Sequence, residues 1–317
     1  MTATLRQLRR LREYPSAVIG LAVIGALVFL SIYTVIAIPH DEAVRLWRGG
    51  EEVWSDTPRN AWPLWYNWIT RRNRPQTLVV HSSDPEVSRS VEEVSDDITE
   101  VSLTFPIDYA FDGFPPEMIL FLEPEYKVKP PFVSLTWHTP DGREIRIGDV
   151  TPNRSDSFRF AQDKGLKRRL GGARPEIGLF ADPAAESPTP LQGTYRLELK
   201  ALMFEKAADF KARLVVYGQV HGLAGTDHQR RDLMVALLWG TPIAMAFGLL
   251  AAVGTTVTTM AIAAIGVWFG GALDGAIQRV TEVNLILPLL PILIMIGTFY
   301  SRSIWMMLAL SPRLSGM

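Results

Sequence analysis

The chain has 317 residues, enough for two domains on length alone. Its formal net charge of −1 provides no basic field for nucleic acid, and the lack of cysteine excludes disulfides, thiolate catalysis and Cys-ligated metals. Hydrophobic residues make up 48%, an ordinary share, but they are concentrated at the two ends.

The first element is the charge-free run from Ser16 to Ile38. It reaches the roughly 20 apolar residues a helix needs to cross a bilayer. A cleaved signal peptide is the competing reading, but its apolar core runs to about 15 residues at most and this run is longer. Arg6, Arg9, Arg10 and Arg12 precede it, so the positive-inside rule puts the N-terminus in the cytoplasm.

From 41 to 220 the chain is polar and strand-like, and it forms the second of three segments (1–40, 41–220, 221–317). Trp47, Trp54, Trp62, Trp65, Tyr66 and Trp68 cluster at its start. Such residues favour the headgroup level of a membrane, and they equally suit the core of a small helical cap. Seven segments follow with alternating or apolar character, at 77–82, 100–107, 117–123, 132–139, 143–150, 193–204 and 210–220. Asp141-Gly142 between two of them is a hairpin signal. Together they predict an antiparallel β-sandwich. It would be extracytoplasmic, because it begins where the first span exits. Residues 153–176 and 181–192 read as loops, and Lys164, Lys167, Arg168 and Arg169 as solvated surface.

Leu233–Leu273 is a second charge-free run. It reads as a short interfacial helix over 233–240 and one long span over about 241–269, with small residues suited to helix packing. A third run, 283–300, carries Pro288 and Pro291 and reads as a kinked span. Residues 303–310 read as part of a fourth.

The stretch HGLAGTDHQRRDLMVALLWGTPIAMAFGLLAA, from His221, resembles the permease subunits of ABC importers of the dipeptide/oligopeptide/nickel group, C-type. Gly225, Thr226, Asp227, Arg231 and Asp232 match that pattern, while Arg230 replaces its usual glycine and Ala224 looks like one extra residue. Gly270, Gly271, Asp274, Arg279, Glu282 and Pro288 continue it. The resemblance covers about 5–40 and 221–310. It implies a multi-pass α-helical membrane protein, an incomplete permease bundle, with the β-sandwich as a large insertion. It also implies residence in the bacterial cytoplasmic membrane and import of peptides or similar small solutes. Its partners would be a second permease subunit, cytoplasmic ATP-binding subunits, an extracytoplasmic solute-binding protein and membrane lipid. No cofactor and no nucleic acid are expected. The family's ATPase-docking loop is absent here, so a truncated chain with impaired coupling is expected.

Gly225-Thr226-Asp227 can turn the chain and cap the following helix through Thr226 or Asp227. Arg231 and Asp232 can pair or hold a neighbouring loop. Asp274 and Arg279 are expected to bridge within a short cytoplasmic loop. The chain contains no Gly-x-x-x-x-Gly-Lys-Ser/Thr loop, no His-Glu-x-x-His and no Gly-x-Ser-x-Gly, and His221 and His228 are isolated, so it reads as no enzyme. The alternative is a membrane-anchored extracytoplasmic binding or sensing module in which the sandwich does the work.

Overall fold

The computed structural model describes residues 14–50, 52–95, 98–205, 209–286 and 289–299. These divide into two compact units, one of residues 1–43 and 236–317, the other of residues 44–235.

The first unit holds helix α1 (Pro15–Ala37) and most of α6 (Leu233–Phe269), with α7 (Gly271–Ile286) and α8 (Leu289–Phe299). Pro15 starts α1, where its missing N–H costs nothing. The hydroxyls of Ser31 and Thr34 donate to the carbonyls of Leu27 and Leu30, so α1 exposes few unsatisfied polar atoms. Helix α6 runs unbroken through Pro242 for 37 residues, where the sequence suggested a break at Gly240. At about 1.5 Å per residue it is roughly 55 Å long, more than the roughly 30 Å hydrocarbon core. The Thr241 hydroxyl beside the proline donates back to Leu237 O at 2.9 Å within the helix. Gly270 and Gly271, at φ +61° and +57°, turn the chain between α6 and α7, a left-handed conformation that favours glycine. Beside that turn, a Cβ on Gly266 would stand 3.2 Å from the Asp274 carboxylate, so α7 lies close against α6 there.

The second unit holds α2 (His40–Arg48) in large part, α3 (Trp65–Thr70) and nine strands among the described residues. The strands are β1 (Leu78–His81), β2 (Ser88–Ser95), β3 (Ile98–Tyr109), β4 (Met118–Glu125), β5 (Phe132–His138), β6 (Glu144–Val150), β7 (Asp156–Arg159), β8 (Gly193–Met203) and β9 (Asp209–Val216). They form a four-stranded sheet, β1-β9-β4-β7, and a five-stranded sheet, β2-β3-β8-β5-β6, with every pair antiparallel. One apolar cluster joins them, with Leu103, Phe105, Leu135 and Leu199 from the larger sheet and Leu120, Leu122, Phe210 and Leu214 from the smaller. The alternation predicted from sequence thus places one face of each sheet in a shared core. The Asp141-Gly142 signal closes the β5–β6 hairpin as a three-residue loop, with Gly142 at φ +84° and its N–H on Thr139 O.

Residues 153–176, expected as a loop, contain β7, a 3-10 turn at Phe160–Gln162, and the short helices α4 (Lys164–Arg169) and α5 (Pro175–Gly178). The chain after α5 closes one end of the sandwich. There Phe180 lies among Tyr109, Tyr195 and Trp137, and Trp137 Nε1 donates to Leu179 O at 3.2 Å. The four-stranded sheet is covered on its outer face as well. Ile119, Val215 and Tyr217 are buried there, and the Tyr217 hydroxyl donates to Ser55 O.

The expected multi-pass helical bundle is corrected by this architecture. Among the described residues two helices, α1 and α6, are long and apolar enough to cross a membrane, and two large antiparallel sheets dominate the rest. The physical reason lies in the tail of the predicted bundle. Residues 283–286, assigned to a third span, belong to α7, which carries Asp274, Arg279 and Glu282. The rest of that run is described over 289–299, as α8. Pro288 and the partial span over 303–310 lie outside the described residues, as do Arg6, Arg9, Arg10 and Arg12.

Candidate functional site

The predicted motif residues before α6 form a folded knot within the second unit. Gly225 sits at φ +76°, and a Cβ there would lie 2.4 Å from Ala61 O, so both conformation and space demand glycine. Thr226 is buried and is tied twice to the segment ahead of α3. Its hydroxyl donates to Pro58 O at 2.7 Å and accepts from Ala61 N at 3.0 Å.

Asp227 organises the turn that follows. Its carboxylate accepts from the backbone N–H groups of Gln229 and Arg231, at 2.8 and 2.9 Å, and from Arg231 Nε at 2.8 Å. Burial pushes this carboxyl up, but the bonds from Arg231 and Gln229 and the Arg231 charge together hold it below the usual range. Arg231 also lies over the Trp47 ring, 3.9 Å from its centre. Arg231 therefore pairs with Asp227 rather than with Asp232. Asp232 caps α6 instead, accepting from Met234 N at 2.8 Å. His221, half-buried near Asp232, is held below its usual value by burial, which the Asp232 charge partly offsets.

Arg230 is the residue whose role sequence reasoning missed. Its φ of +66° is left-handed, which accounts for a glycine in the resembled pattern. The residue is 1% exposed. The guanidinium donates to Thr57 O at 2.8 Å and to Glu117 Oε2 at 2.5 Å, and it lies 4.1 Å from the centre of the Tyr217 ring. Burial pushes the Tyr217 hydroxyl up to about 12, against the lowering charge of Arg230. Arg159 reaches the other Glu117 oxygen at 3.4 Å. Between these groups is a cleft of about 180 Å³, lined also by Glu52, Ser55, Ile119 and Phe121. That is smaller than the roughly 300 Å³ at which small-molecule sites begin. The one visible signal for Arg230 was its departure from glycine.

The second group of motif residues is not brought to this knot. Asp274 and Arg279 lie within helix α7 rather than a loop. Asp274 accepts from Gln278 Nε2 at 3.1 Å, and Arg279 pairs with Glu282 at 3.6 Å, so the expected Asp274–Arg279 bridge is replaced by neighbours one turn away. Gly270 and Gly271 form the turn described above. Among the described residues no three His, Cys, Asp or Glu side chains converge to hold a metal. The knot's chemistry is that of an anchor: ion pairs and capping bonds that fix the chain just before a long apolar helix.

No family model matches the sequence. The chain is 30% identical over 86 residues to the peptidoglycan transport system permease protein YejE of Agrobacterium fabrum (strain C58). That stretch is 27% of this chain and spans 23% of the relative's length. It supports a relation to ABC permeases at a coarse level and a transport-related role. With α1 and α6, whose apolar windows are almost wholly unburied, it also supports a membrane location. Among solved structures, TmCBM61 in complex with β-1,4-galactotriose is 8% identical over 47% of this chain and 90% of its own, at a TM-score of 0.20. A structure of carbohydrate-binding modules from the β-sandwich superfamily is 10% identical over 46% of this chain and 54% of its own, at 0.19. At such scores neither likeness bears on what this chain binds.

Proposed function

We propose that this chain is a membrane-embedded permease component of a binding-protein-dependent ABC importer, with a large folded extracytoplasmic unit. The observation that carries this reading is the 86-residue similarity to a transport permease. The fixed polar knot ahead of α6, at the positions where the sequence resembles peptide-type permeases, supports it. On this reading the solute is a peptide or a peptide-bearing fragment of cell-wall material, in keeping with the relative's name. The chain itself hydrolyses no ATP. Cytoplasmic ATP-binding subunits do so, a second permease subunit completes the pathway, and an extracytoplasmic protein delivers the solute. On this reading the β-rich domain lies outside the cytoplasm, and the N-terminus lies inside.

The test is purification of the tagged full chain from its native membranes in mild detergent, followed by identification of bound proteins and measurement of ATPase activity. Stable recovery of a second permease subunit is expected. A chain that purifies alone, with no nucleotide hydrolysis beside it, would leave the anchored binding or sensing module as the better reading.

A further inference from the structure

Helix α3 is turned the wrong way for a surface helix in water. Its polar residues are the half-buried ones: Asn67 Nδ2 donates to Arg74 O at 3.1 Å, and the Thr70 hydroxyl bonds back within the helix to Tyr66 O at 2.7 Å. Trp65, Trp68 and Ile69, spaced i, i+3 and i+4 on one helical face, point outward at 49%, 85% and 63% exposure. The face extends beyond the helix. Trp65 Nε1 donates to Leu223 O at 2.9 Å, and Leu223 is itself 65% exposed. The packing the cluster needs is already supplied from behind, where Tyr66 stacks on Trp62 at 4.7 Å and Arg74 lies over Tyr66. Trp68 and Ile69, the most exposed residues of α3, are therefore not the core of a cap.

A charged edge adjoins this face. Arg71 ends α3 in a left-handed conformation, and Arg71 and Arg72 are both exposed. Among the described residues neither has an ion-pair partner, and the nearby Asp112 carboxylate is engaged by the Asn73 backbone N–H at 2.9 Å. Tryptophans beside an arginine edge match the two layers of a lipid surface, with rings at the acyl boundary and guanidinium groups at the phosphates.

We propose that the Trp65–Trp68–Ile69–Leu223 face, with Arg71 and Arg72 at its edge, seats in the headgroup layer of an anionic phospholipid membrane. The inference rests on the membrane location given above. The chain that carries the face also carries α1, ending at Ala37, and α6, beginning at Leu233, so it is tethered to the surface it would touch. Tethering makes a shallow contact effective, since the second binding event is intramolecular. A soluble partner protein would lack this advantage and would have no need of the arginine edge.

The absence of native cysteine allows the test to be made on the full chain. Trp68→Cys, Ile69→Cys and, as an exposed control on α4, Lys167→Cys are spin-labelled. They are then reconstituted in phosphatidylcholine vesicles with and without phosphatidylglycerol. Flotation of the vesicles reports membrane location separately. Relative collision with oxygen and with an aqueous nickel chelate reports depth. In the phosphatidylglycerol vesicles the oxygen-to-nickel ratio at 68 and 69 is expected to be several-fold above that at 167. Arg71→Glu with Arg72→Glu is expected to lower it. Floated chains with equal ratios at all three positions would overturn the proposal while leaving the membrane location intact. A ratio indifferent to phosphatidylglycerol and to the arginine changes would overturn its electrostatic half. Spin–spin broadening at 68 that persists in detergent would assign the face to a second copy and overturn it too. Chains that fail to float would remove the membrane location and the proposal with it. Two labelled positions guard against local misfolding at either one.

Discussion

Arg230 and Glu117, separated by 113 positions in sequence, are joined by a hydrogen-bonded ion pair of 2.5 Å at the outer face of the four-stranded sheet. The pair fixes the connector before α6 to the sandwich, and Arg230 holds it from a left-handed backbone. Such a conformation costs a non-glycine residue roughly 1–2 kcal/mol, so the side chain's bonds must offset that strain.

Replacing Arg230 separates the two contributions. Arg230→Ala keeps the strained backbone and leaves the Glu117 carboxylate with only the longer contact to Arg159, and it is expected to destabilise the β-rich unit by about 3 kcal/mol. Arg230→Gly loses the same pair but relieves the strain, so it should cost about 1 kcal/mol less. Urea unfolding of the full chain in detergent, followed by circular dichroism, measures both. If Arg230→Ala, which keeps the strain, proved as stable as the parent, the ion pair would contribute nothing.

Gly225→Ala should act locally. The new Cβ would be driven into Ala61 O, with φ unfavourable as well. A cost of about 2 kcal/mol or more is expected. Amide hydrogen exchange should quicken over 57–62 and 221–233, where the affected backbone bonds lie, and remain unchanged in β3 and β8. Unchanged exchange in the connector would contradict its placement.

Much of the sandwich was legible because its strands alternate. β3, β5 and β8 bury every second residue, so period two reported the fold. β2 was missed because all eight of its residues are exposed, and SRSVEEVS carries no apolar periodicity. β7 was missed because four residues give too little pattern. The bundle was over-read, since charge-free length reveals apolar surface and not the number of crossings. The knot was legible at Gly225 and Asp227, whose roles are local turn chemistry. Arg230 was not, because its partners Thr57, Glu117 and Tyr217 come from three distant segments.

Two tryptophans should separate core from surface. Trp137 is fully buried among Phe180 and Tyr195, and Trp137→Ala is expected to cost about 3–5 kcal/mol. Trp68 is 85% exposed, and Trp68→Ala should stay within about 0.5 kcal/mol in detergent. Thermal melting in detergent tests the pair. Equal losses would contradict the burial assigned to one of them.

The connector should also fail with acid, in a defined order. Burial raises the Asp227 carboxyl, but its bonds to Arg231 and Gln229 outweigh this and leave it below the ordinary value. A depressed carboxyl stabilises the fold fully above its unfolded pKa of about 3.9 and loses that contribution as pH falls through the folded value. His221 is depressed too, by burial first, with Asp232 opposing. A histidine kept neutral by the fold likewise contributes its full stability above about 6.5 and loses it below. The parent should therefore weaken in two stages, first below about pH 6.5 and again below about pH 3.9. His221→Gln should flatten the first stage alone. Asp227→Asn keeps an oxygen for the backbone N–H groups but loses the Arg231 ion pair, so it should be less stable than the parent at neutral pH. That difference should close as pH drops below about 3.9, because the parent's own carboxyl is then protonated. Urea midpoints for the three chains between pH 3 and 8 decide the matter. A parent–Asp227→Asn difference that is constant across the range would show that the carboxylate charge does not hold the turn.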